Sequence, residues 1–188
     1  MITVPVSVGA RRVSIAEAGL LLGCGATAAL AVAYVKLGLR IPGHSIVLAA
    51  LPMALGLALA PRRLAGTTMS AGAVATAWLT SLGGASFGSG ATISLFLLGP
   101  MMDVARLRGE SGWWRYGALI LAGFATNVLA LGARALPKVL GFDIADGRPF
   151  DSWWTQAIVT YSLSGLLAGA LGALAVFRAN HRSEHPEP

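Results

Sequence analysis

Charged residues are scarce in this sequence. Only 12% of the 188 residues are charged and 55% are apolar, whereas about 25% of the residues in an ordinary soluble domain are charged. A soluble domain of this size could not hide so much apolar surface, because much of a small domain stays in contact with water. The composition therefore predicts an integral membrane protein. It excludes intrinsic disorder, which requires low hydrophobicity and high net charge.

Cysteine and catalytic motifs are also scarce. The single cysteine, Cys24, excludes a disulfide within the chain and a metal cluster held by cysteines. The sequence contains no nucleophile elbow, no HExxH and no P-loop. Its eight carboxylates offer no pair within an apolar segment. We therefore expect that the chain is not an enzyme and that it holds no tightly bound cofactor.

Apolar segments predict an all-α, polytopic membrane protein with a bundle of six transmembrane helices, since a span needs about 20 mostly apolar residues. The second and fourth segments are short and interrupted by glycine or proline, and such spans often surround a binding site. Residues 1–177 form this domain, and residues 178–188 are expected to be a disordered cytoplasmic tail. The predicted spans are Ala16 to Val35, Ser45 to Ala60, Ala65 to Leu82, Thr92 to Ala105, Arg115 to Leu136 and Thr155 to Phe177.

Basic residues predict the orientation of these spans. The net charge is +6, and the basic residues lie at the ends of apolar runs, so that membrane topology explains them better than nucleic-acid binding does. More of them fall on the side that holds both termini. The prediction is a multi-pass protein of the cell inner membrane with both termini in the cytoplasm.

Three polar stretches carry the candidate binding residues. His44 follows Pro42 and Gly43 at the start of the second span, where a neutral imidazole can bind a metal ion or a polar ligand; it can equally be an ordinary interfacial histidine. Residues 83–92 contain four glycines together with Ser89 and Thr92, and they line either a ligand cavity or a simple turn. Asn127, inside the fifth span, makes either an interhelical hydrogen bond or a ligand contact.

Partner contacts are predicted from one acidic residue and from small residues. Asp103, near the end of the fourth span, pairs either with Arg106 in its own helix or with a partner subunit. Small residues recur every four positions on the first and sixth spans, which lets helices approach closely, within the chain or with another membrane protein. The predicted coupling residues are Gly19, Gly23, Ala29, Ala33 and Asp103.

The six short spans and two motifs resemble the substrate-capture (S) component of an energy-coupling-factor transporter. Gly43-His44 is similar to the Ser-Gly-His stretch of the cobalt and nickel capture subunits, and residues 89–92 are similar to their Gly-Gly-x-Thr stretch. In that family the matching histidine binds the metal, which makes His44 the candidate ligand for a Co or Ni ion carried as substrate. The chain departs from the family at Met1-Ile2, where the family begins Met-His and wraps into the site.

The resemblance implies a function. The chain would capture a small solute, either a transition metal ion or a vitamin-like molecule, from outside the cell. It would then pair in the lipid bilayer with a transmembrane coupling protein and two ATPase subunits. The alternative is a non-transporting membrane scaffold or assembly subunit of a larger complex, which explains the small-residue stripes equally well and demands nothing of His44.

Overall fold

The computed structural model describes residues 14–35, 43–108, 113–141 and 150–184. Within these ranges every regular element is an α-helix. The helices are α1 (Ile15–Tyr34), α2 (Ser45–Leu59), α3 (Ala65–Leu82), α4 (Ser89–Arg108), α5 (Trp113–Val139) and α6 (Phe150–Glu184).

Local sequence sets where several helices begin and end. The hydroxyl of Ser14 accepts a hydrogen bond from the Glu17 N–H, and the Glu17 carboxylate accepts one from the Ser14 N–H, which completes a capping box for α1. Gly84 has a φ of +89° in the turn after α3, a conformation that is open to glycine at no steric cost. These two signals lie at the ends of the apolar runs of α1 and α3.

The six described helices pack in a closed ring. Around the ring the order is α1, α3, α4, α5, α6 and α2, and α2 returns to α1. The short α2 also touches α3, α4 and α5, so it contacts every other helix. Its large side chains Ile46 and Met53 are fully buried. The core of the bundle is therefore organised around the shortest helix.

Glycine allows neighbouring backbones to come close. A Cβ on Gly123 of α5 would lie 2.7 Å from the carbonyl oxygen of Gly165 and from the nitrogen of Gly169, both in α6. The sixth-span stripe therefore packs within the chain. On the other side of the ring, Gly99 of α4 meets the backbone of Gly66 in α3 so closely that a Cβ would overlap it. Such contacts replace bulky side chains as the source of van der Waals packing between membrane helices.

Four of the six described helices are long and apolar enough to cross a membrane, namely α1, α4 up to Leu107, α5, and α6 between Trp153 and Phe177. The apolar α2 has 15 residues, which is about 23 Å of helix. The large apolar side chains of Leu79, Leu121 and Leu163 lie on the outer surface of the bundle and are 60%, 64% and 61% exposed. The protein is a membrane-embedded helical bundle, as predicted, and the crossing of the membrane by all six helices stays a prediction.

Two predicted boundaries were wrong. The fourth helix runs from Ser89 to Arg108, so it is 20 residues long rather than short, and α2 and α4 continue through Pro52 and Pro100 without a break. The predicted disordered tail begins within α6, which is helical to Glu184; residues 185–188 lie outside the described residues. Hydropathy finds only the apolar centre of a helix, whereas its hydrogen bonding continues into the polar residues at its ends.

Candidate functional site

The bundle has two polar ends. The His44 end is formed by the first residues of α2, α4 and α6 and by the last turns of α5. The Asp103 end is formed by the first residues of α1, α3 and α5 and by the last turns of α4. The predicted binding residues lie toward the first of these ends, and Asp103 lies at the second.

Asn127 joins three helices below the His44 end. Its side chain is fully buried, and its amide nitrogen donates to the carbonyl oxygen of Tyr161 in α6 at 2.7 Å and to that of Gly43, before α2, at 3.3 Å. Its amide oxygen lies 3.5 Å from the hydroxyl of Ser94 in α4. The interhelical hydrogen bond predicted for Asn127 is therefore present, and it is made to two helices at once.

Tyr161 packs between two glycines at this end. Its side chain is 2% exposed, and a Cβ on Gly43 would lie 3.0 Å from its ring, while a Cβ on Gly90 would lie 2.7 Å from its hydroxyl oxygen. Gly43 has a φ of +84°, which a residue with a side chain rarely adopts. The glycines of the Gly43-His44 and residue 89–92 motifs therefore both make room for the same tyrosine.

A cationic and aromatic cluster lies beside Tyr161. The buried Trp153 ring of α6 has the Arg134 guanidinium 5.8 Å and the Lys138 ammonium 5.1 Å from its centroid. Both cations come from the last turns of α5, four residues apart. Attraction to the ring face offsets part of the repulsion between two like charges on one side of a helix. Two cations of α5 therefore pack against one ring of α6 at this end.

The structure brings the predicted binding residues to one end but gives them different environments. His44 is half-buried at the N-cap of α2, where its side chain makes no capping bond. Ser89 and Thr92 are exposed on the first turn of α4, and the Thr92 hydroxyl lies 3.5 Å from the carbonyl oxygen of Gly88. Asn127 is buried beneath them. Residues 38–42, which complete the stretch before His44, lie outside the described residues.

Metal ligands do not cluster in the described part of the chain. No group of three or more histidine, cysteine, aspartate or glutamate side chains is found there. Met1-Ile2, the segment that corresponds to the metal-binding amino terminus of the resembled family, lies outside the described ranges. Binding of Co or Ni by His44 stays a prediction.

Asp103 caps another helix. One carboxylate oxygen accepts from the Gly66 N–H at 2.9 Å, and the other accepts from the Thr67 N–H at 2.7 Å and from the Thr67 hydroxyl at 2.8 Å. The residue that precedes α3, Leu64, has a φ of +60° and no side chain that could cap. A carboxylate from α4 therefore satisfies the first N–H groups of α3 and lies at the positive end of its dipole.

Further polar contacts hold the Asp103 end together. Glu17 of α1 forms an ion pair with Arg62 at 2.7 Å, and Arg106 of α4 donates to the backbone oxygen of Arg62 at 3.3 Å. Ser70 accepts from the N–H of Gly99 and donates to a carbonyl one turn earlier in α4. The loop before α3 is therefore bound to both α1 and α4.

The predicted coupling residues divide into two groups. Gly19 and Gly23 are exposed, and a Cβ on either would meet no other atom within 4 Å. Ala29 is buried in the core, Ala33 is partly buried, and the Asp103 carboxylate is bound to α3. Only the first two leave helix surface open to a second protein without rearrangement of the bundle. Contact of any of the five with a partner stays a prediction.

Sequence reasoning missed Tyr161, Ser94 and the cluster around Trp153. The Trp153-Trp154 pair reads as an interfacial anchor, and nothing in the sequence shows that Arg134 and Lys138 face it. Ser94, however, follows Thr92 by two residues in a polar stretch, which was a signal that the stretch continues into the helix. Comparisons with protein-family models, curated proteins and solved structures found no match.

Proposed function

We propose that the chain is the substrate-capture subunit of an energy-coupling-factor importer and that it binds a small solute at the His44 end. The observation that supports this most is the meeting of the two motifs at Tyr161. Gly43 lies beside His44 and Gly90 beside Ser89, and both glycines contact Tyr161. Two motifs separated by more than 40 residues therefore pack against the same tyrosine, which supports the proposal that their polar residues act together.

Each polar residue has a role in this proposal. His44, Ser89 and Thr92 would contact the solute, since they are accessible at the end of the bundle. Asn127 would hold α2, α4 and α6 in register, because its amide already bonds to two backbone carbonyls. The solute would be a transition metal ion if the described histidine gains further ligands, and a vitamin-like molecule if it does not.

Transport would require partners. The sequence has no P-loop, so energy would come from two ATPase subunits through a transmembrane coupling protein in the same bilayer. The exposed surface at Gly19 and Gly23 is the candidate contact with that coupling protein, since small residues let two membrane helices approach closely. With the His44 end outside, the Asp103 end would face the cytoplasm, where the ATPases lie.

Ligand stabilisation of the purified full-length chain tests the proposal. A ligand at 100 times its Kd stabilises a protein by about 2.7 kcal/mol. We expect Ni²⁺, Co²⁺ or a member of a panel of vitamins to stabilise the chain by this amount and so to raise its unfolding temperature. We expect His44→Ala or Thr92→Val to weaken binding of that ligand about tenfold, which is about 1.4 kcal/mol. Absence of any stabilising ligand would contradict the proposal.

A matched control separates binding from folding. The hydroxyl of Thr27 lies 2.9 Å from the carbonyl four residues earlier, and the Thr92 hydroxyl makes the same contact at 3.5 Å. Thr27 is exposed on α1, a helix that holds none of the proposed solute-binding residues. Thr27→Val should leave ligand affinity within about twofold of the unchanged chain. Equal losses in both threonine variants would point to a general effect on the helices.

One observation favours the scaffold function instead. The side-chain N–H groups of Asn127 already donate to carbonyl oxygens of the chain, and the described residues contain no group of three or more metal-ligating side chains. A scaffold needs only the open surface at Gly19 and Gly23. If the chain is a scaffold, it should form a stable complex with another membrane protein, without ATPases and without solute. Gly23→Leu, which adds bulk to that surface, should then disrupt this complex. Recovery of the chain with a coupling protein and paired ATPases would exclude this alternative.

A further inference from the structure

The first turn of α4 begins with backbone N–H groups that have no partner. The N–H groups of Ala91 and Thr92 both donate to the carbonyl oxygen of Gly88, at 2.9 and 3.1 Å. Those of Ser89 and Gly90 form no hydrogen bond within the part of the chain that the structure describes. Gly88, which directly precedes this 20-residue helix, has no side chain that could cap it. Two donors therefore stay open at the positive end of the helix dipole.

Gly90 is buried although it belongs to the first turn of its helix. Tyr161 covers it on one side, and the stem of Arg134 lies beside it, with Cδ 3.9 Å from the position of a Cβ. Buried backbone N–H groups are almost always paired in folded proteins, and each exception needs an explanation. The N–H of Gly90 therefore calls for an acceptor from outside the described chain.

The hydroxyl of Tyr161 is a third donor without a partner at this turn. The tyrosine is only 2% exposed, and its hydroxyl oxygen lies 2.7 Å from the position of a Cβ on Gly90. The hydrogen bond between Tyr161 and Asn127 is made by the tyrosine backbone oxygen, and the hydroxyl forms none with the described residues. Among these residues, no side-chain oxygen that is sealed from solvent lacks a partner. The unpaired hydroxyl therefore faces a space that solvent or a ligand can reach.

The three donors together favour an oxyanion. An anion at a helix N-terminus is attracted by the dipole and can accept from the open N–H groups, whereas a metal cation is repelled there. A carboxylate or a phosphate has enough acceptor positions for two N–H groups and one phenolic hydroxyl. Hydrogen bonds to a charged acceptor are about twice as strong as those to a neutral one. The exposed hydroxyl of Ser89 can add a fourth hydrogen bond.

We propose that the captured solute carries a carboxylate or a phosphate and that this oxyanion binds the first turn of α4. The N–H groups of Ser89 and Gly90 and the hydroxyl of Tyr161 hold it. The inference rests on the proposed capture function, since it names the class of solute for the same end of the bundle. It favours an acidic, vitamin-like molecule over a free Co or Ni ion. Gly43 packs on the ring of the same tyrosine, so the oxyanion site adjoins the Gly43-His44 motif.

Selective isotope labelling tests the oxyanion site without knowledge of the solute. In the full chain in detergent micelles, carbonyl-¹³C serine and ¹⁵N glycine together select the amides that follow a Ser-Gly bond, namely those of Gly90, Gly112 and Gly165. We expect the Gly90 resonance to shift in a saturable manner with acetate or inorganic phosphate, and not with acetamide or with sodium chloride at equal ionic strength. The anion that binds more tightly identifies the preferred group. No shift with either anion would overturn the proposal.

The same labelling supplies its own references. Ser89→Ala removes one Ser-Gly bond and with it the Gly90 signal, which assigns that signal. Gly165 is buried against the backbone of Gly123, so its resonance should not respond to either anion. A shift of Gly165 as large as that of Gly90 would show a general effect on the bundle and would overturn the local site.

Variants at the two kinds of donor locate the oxyanion. Tyr161→Phe removes the hydroxyl and keeps the ring, so it should weaken binding of the preferred anion about tenfold. Proline fits the first position of a helix, so Ser89→Pro removes one N–H group while α4 persists, and it should weaken binding more than Ser89→Ala does. The matched control is Tyr116→Phe, because Tyr116 packs against Phe177 at the Asp103 end; it should leave affinity within about twofold. Full affinity in both Tyr161→Phe and Ser89→Pro would overturn the assignment.

Matched solutes test whether the oxyanion belongs to the captured molecule. Nicotinate and nicotinamide, pantothenate and panthenol, and thiamine phosphate and thiamine each differ by one oxyanion. For a pair that stabilises the purified full chain, the anionic member should bind at least about tenfold more tightly than the neutral one. Equal affinity of the two members would support capture but overturn the oxyanion site. A response of Gly90 to acetate, without stabilisation by any solute in the panel, would support the oxyanion site and contradict the importer.

Discussion

Removal of the Asp103 carboxylate should destabilise the bundle more than any other polar substitution at its end. The carboxylate makes three hydrogen bonds to Gly66 and Thr67 and is 6% exposed. Hydrogen bonds between membrane helices average about 0.6 kcal/mol each, and a partly buried charge at a helix terminus adds about 1 to 2 kcal/mol. Asp103→Ala should therefore lower the free energy of unfolding by about 3 kcal/mol.

Graded substitutions divide this effect into its parts. Asp103→Asn keeps one acceptor oxygen but loses the charge, so it should lose about 2 kcal/mol. Thr67→Val removes only the hydroxyl bond and should lose about 0.6 kcal/mol. Because both residues act through one contact, the double variant Asp103→Ala, Thr67→Val should be hardly less stable than Asp103→Ala alone.

Reversible unfolding in mixed micelles of mild detergent and SDS measures these differences, with helix content followed by circular dichroism. The control is Arg63→Ala, an exposed change two residues before α3, which should stay within about 0.5 kcal/mol of the unchanged chain. A loss below about 1 kcal/mol in Asp103→Ala, or strict additivity of the double variant, would show that the carboxylate does not cap α3.

Three further predictions concern packing and charge. Gly99→Ala should destabilise the bundle by about 1 to 3 kcal/mol, because its Cβ would meet the α3 backbone. Gly132→Ala, on open helix surface, should be neutral or stabilising by up to about 1 kcal/mol. Unfolding in SDS measures both differences. Asn127→Leu should lose about 1 to 3 kcal/mol through two unmet carbonyl contacts, and unchanged thermal stability would refute the role of that amide. Arg62→Gln should lose less than about 1 kcal/mol, since its pair with Glu17 is partly exposed, and high salt should abolish the difference from the unchanged chain.

Apolar periodicity and length predict the helices well. The predicted third span, Ala65 to Leu82, coincides with α3, and the predicted starts of α1 and α2 agree with the structure within one residue. The polar ends of α4 and α6 are harder to predict, because their residues lack the apolar signal of a span and Gly90 lies inside the first turn of α4. Burial drives the centre of a membrane helix, while local hydrogen bonding decides its last turns.

The contacts at the two ends could be predicted only in part. Asn127 in an apolar segment already indicated an interhelical hydrogen bond, since an unpaired amide in a membrane is unfavourable. Asp103 was assigned to Arg106 or to a partner, because nothing in the sequence shows that α4 brings it opposite the first turn of α3. That register depends on the close contact of Gly66 with Gly99, which is a property of two helices rather than of one segment.

The same register has a mechanical consequence. The Asp103 cap, the contact of Gly66 with Gly99 and the hydrogen bonds of Ser70 all join the first two turns of α3 to α4. Sliding or tilting of α3 against α4 would break all three contacts together. Helices α3 and α4 should therefore move together as one rigid unit. Any opening of the His44 end would then require α2, α5 and α6 to move away from that unit.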